Sequence, residues 1–314
     1  MSLRRMRRLR RAVAGRLASE LAAFAARGGI GRIRRTGRAV GAAHHALSWP
    51  LHARLRRDVA RALGCSRGEA GAILASGYRV NDRAVFEVLA MADPGCDPHA
   101  LVDAVVIARL DQLPPPGRGA VLLGMHMGNG TLMASQLARA GWPVHVVARE
   151  PRRLAGRTLA RAIERAGATP LSLDGSNPTR NFRQMLKVLR DGGLLYVLMD
   201  QANKGGGVPR HFLGKPMNMP GGVPGLALRC GVPVIPIHLE AAEPDWKFRV
   251  GSALQGDNED ALLDAICASM EQQVRRLPEL WSWHHRRWKR YHFEPIPNSL
   301  EKESSHAPDR TTNP

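Results

Sequence analysis

The stretch Ala120-Val-Leu-Leu-Gly124-Met125-His126-Met127-Gly128-Asn129-Gly130-Thr131 decides how the rest of the chain is read. Residues 120–125 form a short continuous apolar run, the pattern of a strand buried on both faces of a parallel sheet. His126 follows at once, and residues 132–140 read as a helix, so the imidazole sits at a strand-to-helix turn. In an open α/β sheet, ligands bind in the crevice outside the carboxyl ends of the strands. Gly128 and Gly130 are therefore expected to let a substrate approach the backbone closely.

Working outward, strands and helices alternate. Strands are predicted at 144–148, 170–173, 194–199 and 232–239, and helices at 154–166, 178–189 and 261–277. This is the rhythm of βαβ units. Asn177 before Pro178 supplies a helix start, and Asp191-Gly192-Gly193 ends that helix. Residues 201–222, rich in Gly, Pro and Asn, read as a long functional loop at the carboxyl edge of the sheet. Upstream, the break Pro114-Pro115-Pro116-Gly117 separates this body from a helical lead-in at 51–114. The lead-in contains a helix at 51–63, a second opened by a Ser66-x-x-Glu69 capping box, and a further one at 82–91. The expected fold is α/β: a mixed, mostly parallel sheet flanked by helices, with an N-terminal helical basic extension. The division is 1–50 as extension, 51–297 as one catalytic domain, and 298–314 as a polar, disordered tail.

The net charge of +19 is unevenly distributed. Residues 1–67 carry 17 Arg, no Lys, and only Glu20 and Asp58 as acids. Leu3, Met6, Leu9, Val13, Leu17, Leu21 and Phe24 recur every three or four residues, an apolar stripe on a helix whose other faces carry arginine. Such a helix can lie in a membrane interface, where each Arg near an anionic leaflet adds roughly 1 kcal/mol of attraction. The stripe can equally dock on the protein's own core, and a basic helix can bind nucleic acid or direct targeting. No zinc finger or other nucleic-acid motif is present, and no nucleic-acid partner is expected. Cys65, Cys96, Cys230 and Cys267 are far apart without a C-x-x-C pair, which suggests neither a disulfide framework nor a zinc site. No apolar run is long enough to span a bilayer, and no secretory signal opens the chain. There is no G-x-S-x-G elbow and no H-E-x-x-H metal motif, which argues against a serine or zinc hydrolase.

Five separate blocks carry a family resemblance. They are Gly124-Met-His126-Met-Gly128-Asn129; Val147-Ala-Arg149; Met199-Asp200-Gln201 with Val208-Pro-Arg210-His-Phe212-Leu-Gly214-Lys215-Pro216; Gly231-Val-Pro233-Val-Ile-Pro236; and Leu280-Trp281-Ser-Trp283-His-His285-Arg286-Arg287-Trp288-Lys289. In order and spacing the chain resembles the lipid A late acyltransferases of Gram-negative bacteria, within the lysophospholipid acyltransferase superfamily, over roughly residues 50–295. The resemblance implies a glycerolipid acyltransferase-like fold with His126 as general base. It would take the proton of an acceptor hydroxyl, which attacks the thioester of acyl carrier protein or acyl-CoA without a covalent enzyme intermediate. The implied partners are that donor, a lipid acceptor and an anionic membrane surface, at the cytoplasmic face of the inner membrane; no metal or other cofactor is implied. Arg149 is a candidate for stabilising the oxyanion or gripping an acceptor phosphate. Asp200 completes the catalytic candidates. Gly128, Asn129, Thr131, Gln201, Arg210, Phe212 and Gly214 are candidates for substrate contact.

One position departs from the family. Five residues after the histidine, where the motif has Asp or Glu, this chain has Thr131. Threonine accepts a hydrogen bond but brings no charge, so the imidazolium formed during attack loses its expected partner. Either another carboxylate such as Asp200 substitutes, or the enzyme uses a more reactive donor or acceptor in a pathway other than lipid A, or the protein is an inactive lipid- or carrier-binding relative.

Overall fold

The computed structural model describes residues 3–149, 157–173, 177–202, 207–285 and 287–288, with the backbone alone for 3–12 and 14. Its elements, in order, are α1 (Leu3–Ala26), α2 (Gly29–Leu47), α3 (Trp49–Leu63), α4 (Arg67–Ala92), α5 (Pro98–Asp103), β1 (Val106–Ala108), β2 (Ala120–Gly124), α6 (Gly130–Arg139), β3 (Val144–Ala148), α7 (Thr158–Arg165) and β4 (Thr169–Ser172). There follow α8 (Pro178–Arg190), β5 (Leu194–Leu198), β6 (Val208–Phe212), β7 (Lys215–Met219), α9 (Gly222–Cys230), β8 (Val234–Ala241), β9 (Lys247–Val250) and α10 (Glu259–Arg276). The disordered-tail expectation for 298–314, like Arg286 and Lys289, lies outside the described residues.

Seven strands make one sheet in the order β1-β9-β8-β2-β5-β3-β4. The five strands from β8 to β4 run parallel; β9 is antiparallel to β8, and β1 follows β9. The mixed, mostly parallel sheet of the sequence reading is thus present. β2 is buried along its whole length, as an apolar run between two helical layers must be. Its neighbour β5 is in register with it, Gly124 opposite Leu198, and that pairing sets up the site.

The helices ahead of the sheet pack through small residues. On α2, Gly37 and Gly41 face α4; a methyl group at Gly41 would stand 2.6 Å from the Tyr78 carbonyl and the Arg79 Cα, so only glycine permits this approach. The Ser66–Glu69 capping box forms with both of its hydrogen bonds and opens α4. The separate helix expected at 82–91 is instead the continuation of α4, which runs unbroken for 26 residues. The polar residues near its expected start are interior: Arg83 and Glu87 are both fully buried, paired at 3.0 Å. They pass as a polar break in sequence because a buried ion pair on a helix looks like an exposed segment.

The loop expected across 201–222 also needs correction. It contains the hairpin β6–β7, turned by Leu213 and Gly214, both at positive φ (52° and 72°), the backbone of a type I′ turn. Leucine is unusual there. The turn is held from outside, as the Leu213 N–H donates to Glu271 of α10 at 2.6 Å. β1 and β9 were not foreseen; both are short, and β1 is largely exposed, so neither shows a clear apolar run.

Candidate active site

The parallel register of β2 and β5 brings two polar side chains together. Gly124 pairs with Leu198, and two residues beyond each lie His126 and Asp200. His126 Nδ1 stands 2.6 Å from Asp200 Oδ1, and the His126 backbone N–H donates to both carboxylate oxygens at 3.1 Å. The other side of the carboxylate is held by the C-terminal segment. Trp281 Nε1 donates to Oδ2 at 2.8 Å and Arg287 Nη2 at 2.6 Å, while Arg287 Nε donates to the Asp200 carbonyl at 2.5 Å. This segment is locked on the histidine turn by an antiparallel bridge between Met127 and Trp281 and by the Ser282 N–H donating to the His126 carbonyl.

Asp200 is fully buried. Burial opposes its ionisation, but His126, the Arg287 guanidinium and the Trp281 hydrogen bond outweigh that and hold its carboxyl well below the ordinary carboxylate range. An ionised carboxylate only accepts hydrogen bonds, so the Nδ1 that it meets must carry the proton. Nε2 of His126 is therefore the unprotonated nitrogen of the ring and carries its lone pair.

At Nε2 stands the Gln201 amide, its Nε2 3.0 Å away and also 3.2 Å from His285 Nδ1. The His285 ring lies 4.8 Å from that of His126. Burial, then the charges of His126 and Arg287, push His285 down to about 2, and His284 beside it is lowered to about 4, chiefly by burial. Both are neutral at physiological pH.

The other sequence candidates are not gathered here. Gly128 is at φ 68°, and the space beside it is filled by Leu239 and Trp246. Gly130 is covered by the Tyr196 ring. The space beside both glycines is taken by the protein's own side chains. Asn129 is buried: its Oδ1 caps α6 through the Leu132 N–H, and its Nδ2 donates to Glu87 at 2.9 Å. Glu87 also accepts from Trp246 at 2.6 Å, so the turn that carries His126 is tied to α4 through a buried carboxylate that the sequence reading missed. Thr131 lies in the first turn of α6, half-buried. Arg210 is committed to Asp260 and Asp264 of α10, both at 2.5 Å. Phe212 is buried against Trp281, and Gly214 turns the hairpin. Gly128, Asn129, Arg210 and Phe212 are thus held by packing and pairing within the protein. Arg149 is exposed one residue past β3, and β5 separates that strand from β2, which puts it roughly 10 Å along the same sheet edge.

A histidine held by a buried carboxylate at a strand end is generic; what decides its chemistry is the family. The model of the bacterial lipid A biosynthesis acyltransferases matches residues 30–290. The chain belongs to that family. It is an acyltransferase, acting in lipid acyl transfer. Among solved structures it is similar to the 1-acyl-sn-glycerophosphate (LPA) acyltransferase PlsC from Thermotoga maritima, at 14% identity over 79% of this chain and 99% of that one, with a TM-score of 0.40. No curated protein matches the chain. In this acyltransferase the residues that hold Asp200, namely Trp281 and Arg287, come from the fifth sequence block, whose role no local spacing discloses. Among the described residues, no group of three or more His, Cys, Asp or Glu side chains is placed to hold a metal ion.

Proposed function

We propose that this acyltransferase moves an acyl chain from a thioester donor, acyl carrier protein or acyl-CoA, to the hydroxyl of a lipid at a membrane surface, with His126 as general base and Asp200 as its partner. The observation that carries this reading is the 2.6 Å contact between His126 Nδ1 and the buried Asp200 carboxylate. It supplies from β5 the charge that Thr131 fails to supply from α6, and it removes the reason for regarding the protein as inactive.

The steps balance on these groups. Nε2 takes the hydroxyl proton as the oxygen bonds to the thioester carbon, and Asp200 stabilises the imidazolium that forms. The C–S bond then breaks, and Nε2 returns the proton to the leaving thiolate. Arg149, exposed on the same edge, is placed for an anionic group of the lipid or donor.

The proposal of membrane contact is supported by α1. Its small residues Ala22 and Ala25 face the core, while Val13, Leu17 and Phe24 are 50%, 65% and 59% exposed. Leu47 at the end of α2 and Trp49 at the start of α3 are also largely exposed. A soluble helix places its large apolar residues inward, so this inverted arrangement, among arginines, suits the interface of an anionic leaflet. Among the described residues no helix is long and apolar enough to cross a membrane. The test of the reading is His126→Ala assayed for transfer from lauroyl-CoA or lauroyl-acyl carrier protein into bacterial membrane lipids. Turnover should fall by about 10²–10⁴-fold, the usual contribution of a positioned base; unchanged turnover would remove His126 from the chemistry.

A further inference from the structure

The Gln201 side chain is exposed, yet it bridges two imidazoles. His126 Nε2 offers a lone pair because the ring's proton is on Nδ1, which donates a hydrogen bond to Asp200, and Gln201 faces Nε2 at 3.0 Å. His285 Nδ1, at 3.2 Å, is the second partner. A carboxamide has two N–H donors and one acceptor oxygen, so the end that meets a lone pair must be the NH₂. One hydrogen goes to each ring. The lone pair that must accept the acceptor's proton is therefore already occupied, by a side chain that solvent can reach and that has a second anchor.

We propose that the acceptor hydroxyl enters by inserting into the Gln201–His126 hydrogen bond, so that Gln201, anchored on His285, positions the attacking oxygen. The inference rests on His126 being the base. A hydroxyl is suited to this place because it both accepts and donates: it takes an N–H from Gln201, gives its proton to His126 Nε2, and keeps a second lone pair for the thioester carbon. Attack then forms the C–O bond and breaks the C–S bond, with the proton passing through Nε2 to the thiolate as above. Gln201 remains tied to His285 and needs only to draw back by about the width of one oxygen, from direct contact to a bridged one. The neutrality of His285 serves this arrangement, since an imidazolium would have no lone pair at Nδ1 to hold the amide. The other groups facing His126 are Asp200 at Nδ1 and, through that carboxylate, Arg287; neither competes for Nε2.

The test uses the full chain with Gln201→Leu, which keeps the volume and removes both donors. Transfer from lauroyl-CoA, and separately from lauroyl-acyl carrier protein, into a bacterial membrane lipid extract should fall about 10- to 100-fold, the worth of one lost positioning hydrogen bond to a reacting group. The loss should fall on kcat and leave the KM for the thioester donor unchanged, because the amide meets the attacking oxygen and not the donor. His285→Ala, which frees the amide's anchor, should lower kcat the same way by less. Transfer within twofold of the wild type, or a loss in Gln201→Leu carried by the donor KM instead of kcat, overturns the proposal. If His126→Ala abolishes transfer while Gln201→Leu leaves it intact, the base stands and only the insertion fails; if His126→Ala is itself active, both fail.

Discussion

Asp200→Asn isolates the claim that a carboxylate from β5 replaces the missing motif acid. The wild-type group accepts from Trp281 and Arg287 on one oxygen and from His126 Nδ1 on the other. An asparagine has one oxygen and one NH₂ to offer. Arg287 is buried and charged, and both it and Trp281 can only donate, so the oxygen must face them and the NH₂ must face His126. The imidazole then has to present a lone pair at Nδ1, which moves its proton to Nε2 and removes the base from the site. The corresponding exchange in serine proteases costs about 10⁴-fold in turnover, and a fall of about 10³–10⁴-fold in kcat is expected here. Arg287 also loses its buried counter-charge, and breaking such a pair typically costs about 3–5 kcal/mol of stability. The assay is therefore single-turnover acyl transfer to membrane lipid, normalised to folded protein by circular dichroism at low temperature. A folded Asp200→Asn protein within tenfold of wild-type turnover would refute the reasoning.

Two more outcomes follow from the same structure. His284 and His285 are held neutral at about 4 and about 2, whereas in the unfolded chain each takes a proton near pH 6.5. Between about pH 6 and 5 the unfolded state thus binds nearly two more protons, and stability falls with acidification by about 2 to 3 kcal/mol per pH unit. Asp200 acts in the same direction but at lower pH: its depressed carboxyl contributes stability that is present above about pH 4 and is lost only further into acid. Urea melts at pH 7, 6 and 5 should show the decline, with half the slope in His284→Leu; equal midpoints at pH 7 and 5 would contradict it. For α1, the triple change Val13→Ser, Leu17→Ser and Phe24→Ser should leave the melting temperature close to wild type, because these side chains are exposed, while reducing flotation with anionic vesicles by tenfold or more. Undiminished flotation would detach α1 from the membrane.

What could be read from the sequence depended on whether a signal was local. The strand expected at 120–125 and found at 120–124, the turn histidine, the Asn177 and Ser66 caps and the alternation of β and α are local patterns that the structure reproduces. The pairing of His126 with Asp200 is not local, but it was within reach: both follow buried runs by the same offset, and adjacent parallel strands in register bring such positions together. Nothing in the spacing predicts that Arg287 and Trp281, more than eighty residues downstream, close the far side of that carboxylate. Glu87 was hidden for a different reason: a buried acid inside a helix is indistinguishable in sequence from a solvated one until its partners Arg83, Asn129 and Trp246 are in place. The hairpin at 208–219 was read as loop because Leu213 is a poor signal for a turn that demands positive φ.

The most direct test of the central claim is the tautomer of His126. In ¹⁵N-histidine-labelled protein at neutral pH, the account predicts that the proton resides on Nδ1 in the wild type and moves to Nε2 in Asp200→Asn, together with the loss of transfer. A wild-type ring carrying its proton on Nε2 would mean that Asp200 does not set the base, and the account would be wrong.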